Sequence, residues 1–249
     1  IDFTKNNVLG THVLLESAKV HKVKRFIHVS TDEVYGERPT EEGAIESSVL
    51  EPTNPYAATK AGAEHLVKSY YRSFKLPVII TRGNNVYGPH QYPEKIIPKF
   101  ICLLNRNKPC YLHGDGSHKR CYLYVDDVTR AFDTVLHKGT EGEIYNIGTN
   151  FEISNYELAK KLLKKYGLEE KDYIVYVEDR AFNDRRYSID TTKMLELGWK
   201  PQVSFDEGLD NTIDWYKRNF NNWENAELAL VPHPTFNKPI LSVDNNINL

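Results

Sequence analysis

Four consecutive polar residues, Ser30-Thr31-Asp32-Glu33, and a tyrosine and a lysine four positions apart, Tyr56 and Lys60, are the groups whose types and spacing could do chemistry here. Like charges held close push one pKa upward, so of two adjacent carboxyls one can serve as an acid while the other serves as a base. Spacing of four puts Tyr56 and Lys60 on one face of a helix, where an ammonium favours the ionised phenol. A phenol ordinarily titrates near ~10, so a base working near neutral pH needs that lysine and a neighbouring hydroxyl such as Ser30 or Thr31. Blander accounts stand beside both pairs. Among 16 tyrosines, Tyr56 and Lys60 could be a chance pair on a solvated helix face, and both carboxylates could simply cap the turn that follows.

The elements that must position these groups follow from apolar pattern. Phe26, Ile27 and Val29 form a run that stops at Ser30, as a buried parallel strand does where it opens into a polar crevice. In open α/β sheets ligands gather outside such carboxyl ends. Glu37 to Thr53 is acidic and without period, a surface loop or else a flap. Pro55 fits the first turn of a helix that continues to Phe74, and Asn7 to Lys19 is an earlier amphipathic helix in which Gly10 allows close packing. Leu76 to Arg82 is a second buried strand, ending at Gly83-Asn84-Asn85; these asparagines are either turn residues or carboxamides facing a ligand. A helix over Glu94 to Asn105, a strand over Pro109 to His113, a buried strand over Glu143 to Gly148 and a strand over Tyr173 to Val177 come next. Ser154 with Glu157 is a capping box for a helix ending near Tyr166. The basic knot Glu178 to Tyr187 is a diphosphate or nucleoside site or a set of paired charges. Phe205 to Phe220 is a final helix, and beyond Asn221 the pattern dissolves into a tail.

The 32 basic and 34 acidic residues leave a formal charge of -2, so no global field recruits nucleic acid or an anionic membrane, and neither is expected as a partner. Cys102, Cys110 and Cys121 lack C-x-x-C spacing, which points to free thiols in a reducing, cytoplasmic setting and to no metal site. No apolar run approaches the roughly 18 residues of a membrane span, and no secretory signal or repeat is visible.

STDEVYG (residues 30–36), NPYAATKAGAEH (54–65) and TRGNNVYGPHQYPEKIIPKF (81–100) resemble the nucleotide-sugar 4,6-dehydratases of the extended short-chain dehydrogenase/reductase superfamily. The dTDP-glucose 4,6-dehydratase family is the nearest resemblance and the UDP-glucose 4,6-dehydratases are close behind. The likeness runs from about Phe3 to about Tyr216, and the adjacent Asp-Glu is its most specific part. It implies an α/β fold made of the C-terminal part of a Rossmann-type parallel sheet domain plus a smaller mixed α/β substrate domain. Residues 1–90 would be a partial NAD-binding domain, 91–220 mainly substrate-binding with some chain returning to the first domain, and 221–249 an irregular tail.

The implied activity is conversion of dTDP-glucose or UDP-glucose to its 4-keto-6-deoxy form with NAD as cofactor, in a homodimer. Tyr56, Asp32, Glu33 and Thr31 would be catalytic. Tyr56, Lys60, Asn85 and Ser30 would meet NAD, whose positively charged ring would further favour the Tyr56 phenolate. Asn84, Lys95, Arg120, Asn155 and Arg180 would meet the substrate, Arg120 because a guanidinium fork suits a diphosphate. By the same pattern Asp126-Asp127 is an N-cap for a helix over Val128 to His137. Ala181-Phe182-Asn183 resembles the UDP-glucose enzymes and departs from the Pro-Gly-His of bacterial dTDP-glucose enzymes, which leaves the base open. No Gly-rich dinucleotide turn occurs in the sequence, so the chain is expected to be a fragment or truncated product that binds NAD poorly. A 4-epimerase, needing Tyr56 and Lys60 but no carboxylate pair, and a non-catalytic nucleotide-sugar binder are the alternatives.

Overall fold

Residues 1–37, 42–179, 186–219 and 222–232 are described by a computed structural model. A π-helical stretch, Thr4–Leu9, runs into helix α1, Gly10–Val20; strand β1, Phe26–Thr31, then ends in a 3-10 turn, Asp32–Tyr35. Helix α2, Pro55–Phe74, leads to β2, Val78–Gly83, and the short β3, Asn85–Tyr87. Next come α3, Ile96–Asn105, β4, Cys110–His113, β5, Lys119–Tyr124, and α4, Val125–Lys138. The chain continues through β6, Ile144–Ile147, β7, Glu152–Ser154, α5, Asn155–Tyr166, α6, Glu170–Tyr173, and β8, Ile174–Val177. Helices α7, Thr192–Glu196, α8, Phe205–Arg218, and α9, Ala226–Leu230, complete it.

The first sheet is parallel in the order β1-β2-β6, with Ser30 opposite Arg82 and Arg82 opposite Asn146. Alternate residues of β2 feed opposite faces, as the two-residue period of a strand requires. Val78 and Ile80 pack with Leu15, Val67 and Tyr70 of α1 and α2, whereas Ile79 packs with Val128, Val135, Met194 and Trp199 of α4 and the segment around α7. Helices therefore cover both faces of a Rossmann-type sheet. A second body of apolar residues, including Phe100, Leu158, Leu209 and Tyr216, joins α3, α5 and α8 to the sheet β3-β5-β7 and the pair β4-β8.

Several readings of the pattern need correction. Val29 is 51 % exposed, not buried, because β1 is the outer strand of the described sheet. The loop after the 3-10 turn, read as a surface loop or a flap, does run largely over the surface at residues 42–53 but is also pinned: Ala44 bridges Ile189, and Glu46 accepts from the Asn146 amide through its carboxylate and from Arg82 through its carbonyl. Asp126 and Asp127 do not cap α4, whose cap is Tyr124 with no side-chain bond. Asp127 is fully buried and its carboxylate takes the amides of Gln202 and Val203 at 2.8 and 3.1 Å, together with Arg130. The expected tail contains α9, which is tied to α3 by Lys99 donating to Val231 O at 2.6 Å and by Arg106 on Glu227. At five residues α9 is too short for its period to stand out in the sequence.

Candidate active site

The carboxyl ends of β1 and β2 bring the candidate residues together. Thr31 Oγ1 accepts from the Glu33 amide at 3.3 Å and so caps the 3-10 turn carrying Asp32 and Glu33. Gly36 closes this turn at φ 76°, where a Cβ would strike Glu51 O. The next residue group, at the start of α2, is set by Asn54, whose Oδ1 accepts from the Ala57 amide at 2.9 Å while Pro55 takes the first helical position.

Asp32 is 4 % exposed and receives Asn84 Nδ2 at 2.7 Å and Thr31 Oγ1 at 3.3 Å. Burial pushes its pKa up to about 6, against the smaller opposing pull of Asn84; the neighbouring Glu33 charge raises it further. Desolvation therefore does more than like-charge repulsion to keep this carboxyl near protonation at neutral pH. Glu33 accepts from Asn54 Nδ2 at 3.0 Å.

Tyr56 is half-buried, with Phe3 edge-on at 5.7 Å between ring centroids. Its pKa is raised, by burial first and then by Glu33 and Asp32, so both carboxyls act on the phenol. Lys60 does not supply the expected depression: its Nζ donates to Val29 O at 2.6 Å, and burial lowers its own pKa. The Ser30 hydroxyl is buried beside Glu64.

A cleft of about 580 Å³ opens in front of this turn. Glu33, Asn85, Lys95, Arg120 and Asn155 all line it, so five of the sequence candidates share one cavity wall. Arg120 lies over the Tyr187 ring at 5.0 Å and its charge pulls on Asp32. Lys95 precedes α3 and pairs with Glu94 at 3.1 Å, and Asn155 opens α5 behind its capping box. Asn84 behaves differently from expectation. It is buried, its Nδ2 engages Asp32, and its Oδ1 accepts from the Thr149 amide at 3.0 Å, so its carboxamide is turned to the acid and not to the cleft. Arg180 and Ala181-Phe182-Asn183 lie outside the described residues. Arg186, from the same basic knot, pairs with Glu152 at 2.7 Å.

Two features escaped sequence reasoning. Asn54 contacts both the α2 amide and Glu33; an Asn before Pro at a helix start signals the cap, but nothing local signals the second bond. The other is a buried network beneath the turn. Arg82 grips Glu64 at 2.9 and 2.6 Å and donates to Tyr35 OH at 2.7 Å, and Tyr35 donates to Asn146 Oδ1 at 2.7 Å. An arginine inside a strand carries no sequence mark of its partner. Among the described residues no group of three or more His, Cys, Asp or Glu is placed to hold a metal ion, and no helix is long and apolar enough to cross a membrane.

A Rossmann-type parallel sheet with a Tyr-x-x-x-Lys helix at its carboxyl edge defines a protein of the short-chain dehydrogenase/reductase class. Residues 1–212 match the family described as GDP-mannose 4,6 dehydratase. The chain is 50 % identical to a dTDP-D-glucose 4,6-dehydratase of Dictyostelium discoideum, covering 92 % of this chain and 62 % of that one. It is 54 % identical to a trifunctional UDP-glucose 4,6-dehydratase/UDP-4-keto-6-deoxy-D-glucose 3,5-epimerase/UDP-4-keto-L-rhamnose-reductase of Arabidopsis thaliana, covering 94 % of this chain and 35 % of that one. The crystal structure of dTDP-glucose 4,6-dehydratase from Bacillus anthracis in complex with NAD is similar with a TM-score of 0.85 and 42 % identity, over 90 % of this chain and 71 % of that one. The chain belongs to the matched family. It spans less than two thirds of the length of the first two of these relatives.

Proposed function

We propose that this chain carries the proton-transfer machinery of an NAD-dependent nucleotide-sugar 4,6-dehydratase, acting on dTDP-glucose or UDP-glucose. One observation carries it: a buried carboxyl whose pKa is raised to about 6, Asp32, adjoins a carboxylate that lines the cleft, Glu33, and both act on one phenol, Tyr56. The Asn85 carboxamide, the Lys60 ammonium and the Tyr56 hydroxyl suit the nicotinamide end of the cofactor by their donor and acceptor chemistry. When bound, NAD supplies a hydride acceptor for C4, a hydride donor for C6 and a positive ring charge near the phenol.

Tyr56 takes the proton of the C4 hydroxyl, assisted by the Thr31 hydroxyl, as that carbon is oxidised. Burial, then Glu33 and Asp32, favour the protonated phenol, and a nearby positive charge would act in the opposite sense. The C4 ketone acidifies C5, and Glu33 removes the C5 proton. Asp32 donates its proton to the C6 hydroxyl, the C6–O bond breaks and water leaves. As C6 is reduced, Glu33 returns a proton to C5, leaving a 4-keto-6-deoxy sugar. Arg120, Lys95 and Asn155 hold the nucleotide diphosphate portion from the cleft wall.

Residues 1–90, with later chain returning through β6, serve the cofactor, and most of 91–220 serves the sugar nucleotide. A homodimer in the cytoplasm completes this proposal. Purified full-length protein, incubated in D2O with NAD and each nucleotide sugar and followed by mass spectrometry and NMR, should release one water and carry deuterium at C5. Galactose nucleotide without water loss would establish a 4-epimerase instead, and no change of either sugar would leave a binder.

A further inference from the structure

We propose that Asn54 is a positioning residue that aims the Glu33 carboxylate from the N-terminus of α2; this deepens the dehydratase proposal and rests on it. Asn54 Oδ1 accepts from the Ala57 amide at 2.9 Å, which fixes the amide plane, and its Nδ2 then faces Glu33 Oε2 at 3.0 Å. Both residues line the cleft. With Oε2 engaged, Oε1 is the carboxylate atom left to take a proton from the substrate. Tyr56 follows Asn54 by two positions, so one residue registers the base against the phenol.

The choice of side chain matters. Asn, Asp and Ser all cap helices well, but only Asn adds an N–H donor to the capping acceptor at this reach. Asp would set a like charge against Glu33, and Ser would cap without reaching it. A hydrogen bond to a charged group is among the stronger kinds. Losing it should leave the helix intact and release the base.

The test compares wild-type, Asn54→Ser and Asn54→Asp full-length protein with NAD and whichever of dTDP-glucose and UDP-glucose the wild type dehydrates. Thermal stability, KM, kcat and the rate of deuterium wash-in at C5 are read together. For Asn54→Ser we expect kcat and C5 wash-in to fall in parallel by roughly ten- to a hundred-fold, with KM and melting temperature little changed. Asn54→Asp should fall at least as far, although it keeps the cap. Wild-type turnover by Asn54→Ser would overturn the positioning role and leave the dehydratase proposal standing. Should Asn54→Ser unfold while Asn54→Asp turns over normally, Asn54 is a cap only and the role is again overturned. A wild type that releases no water from either sugar overturns both proposals together.

Discussion

Asp32 combines two properties that usually conflict, being buried like a core residue and ionisable like a surface acid. Its pKa stands at about 6 against an ordinary 3.8, chiefly through burial. The folded state therefore holds the proton more tightly than the unfolded chain. The stability this contributes is fully present below the unfolded value near 3.8 and is lost as pH rises through about 6. Two units of difference correspond to at most about 3 kcal/mol. Asp32→Asn, which cannot ionise, should match the wild type only below the unfolded value near 3.8 and melt higher than it at pH 8; differential scanning fluorimetry across that range checks the sign. The same variant should lose roughly a hundred-fold or more in turnover, since it has no proton to give. Equal melting curves at pH 8 would mean that the carboxyl is not desolvated as the structure has it.

At the scale of elements, the 3-10 turn, α2, β2 and β6 are locked together by Glu64, Arg82, Tyr35 and Asn146. Burial alone would raise the Glu64 pKa, but the Arg82 hydrogen bonds and charge prevail and hold it below the usual carboxylate range. A depressed pKa stabilises the fold above the unfolded value, and that contribution disappears as pH falls through the folded one. Glu64→Gln leaves a buried guanidinium uncompensated and should cost about 3–5 kcal/mol, measured by denaturant unfolding at pH 7. Asp127 makes a comparable joint between α4 and the segment before α8. Asp127→Ala strands the Gln202 and Val203 amides and should destabilise by roughly 2–4 kcal/mol, with Asp127→Asn costing less because one acceptor survives. The sequence foretold what is local: the strand that begins at Phe26 and gives way to polar residues from Ser30, the Ser154–Glu157 capping box and the clustering of polar residues at strand ends. It was silent on Arg82 with Glu64, on Asn84 turning to Asp32 and on Asp127 reaching Gln202, because each partner lies far along the chain and is chosen by packing. Asp126-Asp127 misled because an acid at a helix start reads as a cap whether or not it points outward.

For the molecule as a whole, Cys102 and Cys110 sit inside the apolar body around α3, and Cys121 is buried on β5. All are free and buried, and burial pushes their thiols up, to about 11 for Cys102 and about 12 for Cys110 and Cys121. Native protein treated with iodoacetamide at pH 8 should leave the three corresponding peptides almost unmodified, while denatured protein is fully alkylated, as peptide mass spectrometry would record. Rapid native labelling of Cys121 would show that β5 opens in solution. The turn at Asp32–Tyr35 has a last implication. Asp32, Glu33 and Tyr35 share one short turn, so under the proposed function donor and acceptor cannot be adjusted independently. A hexose presented at the wrong tilt would be misaligned with donor and acceptor at once, and selectivity for ring orientation would come from the scaffold itself.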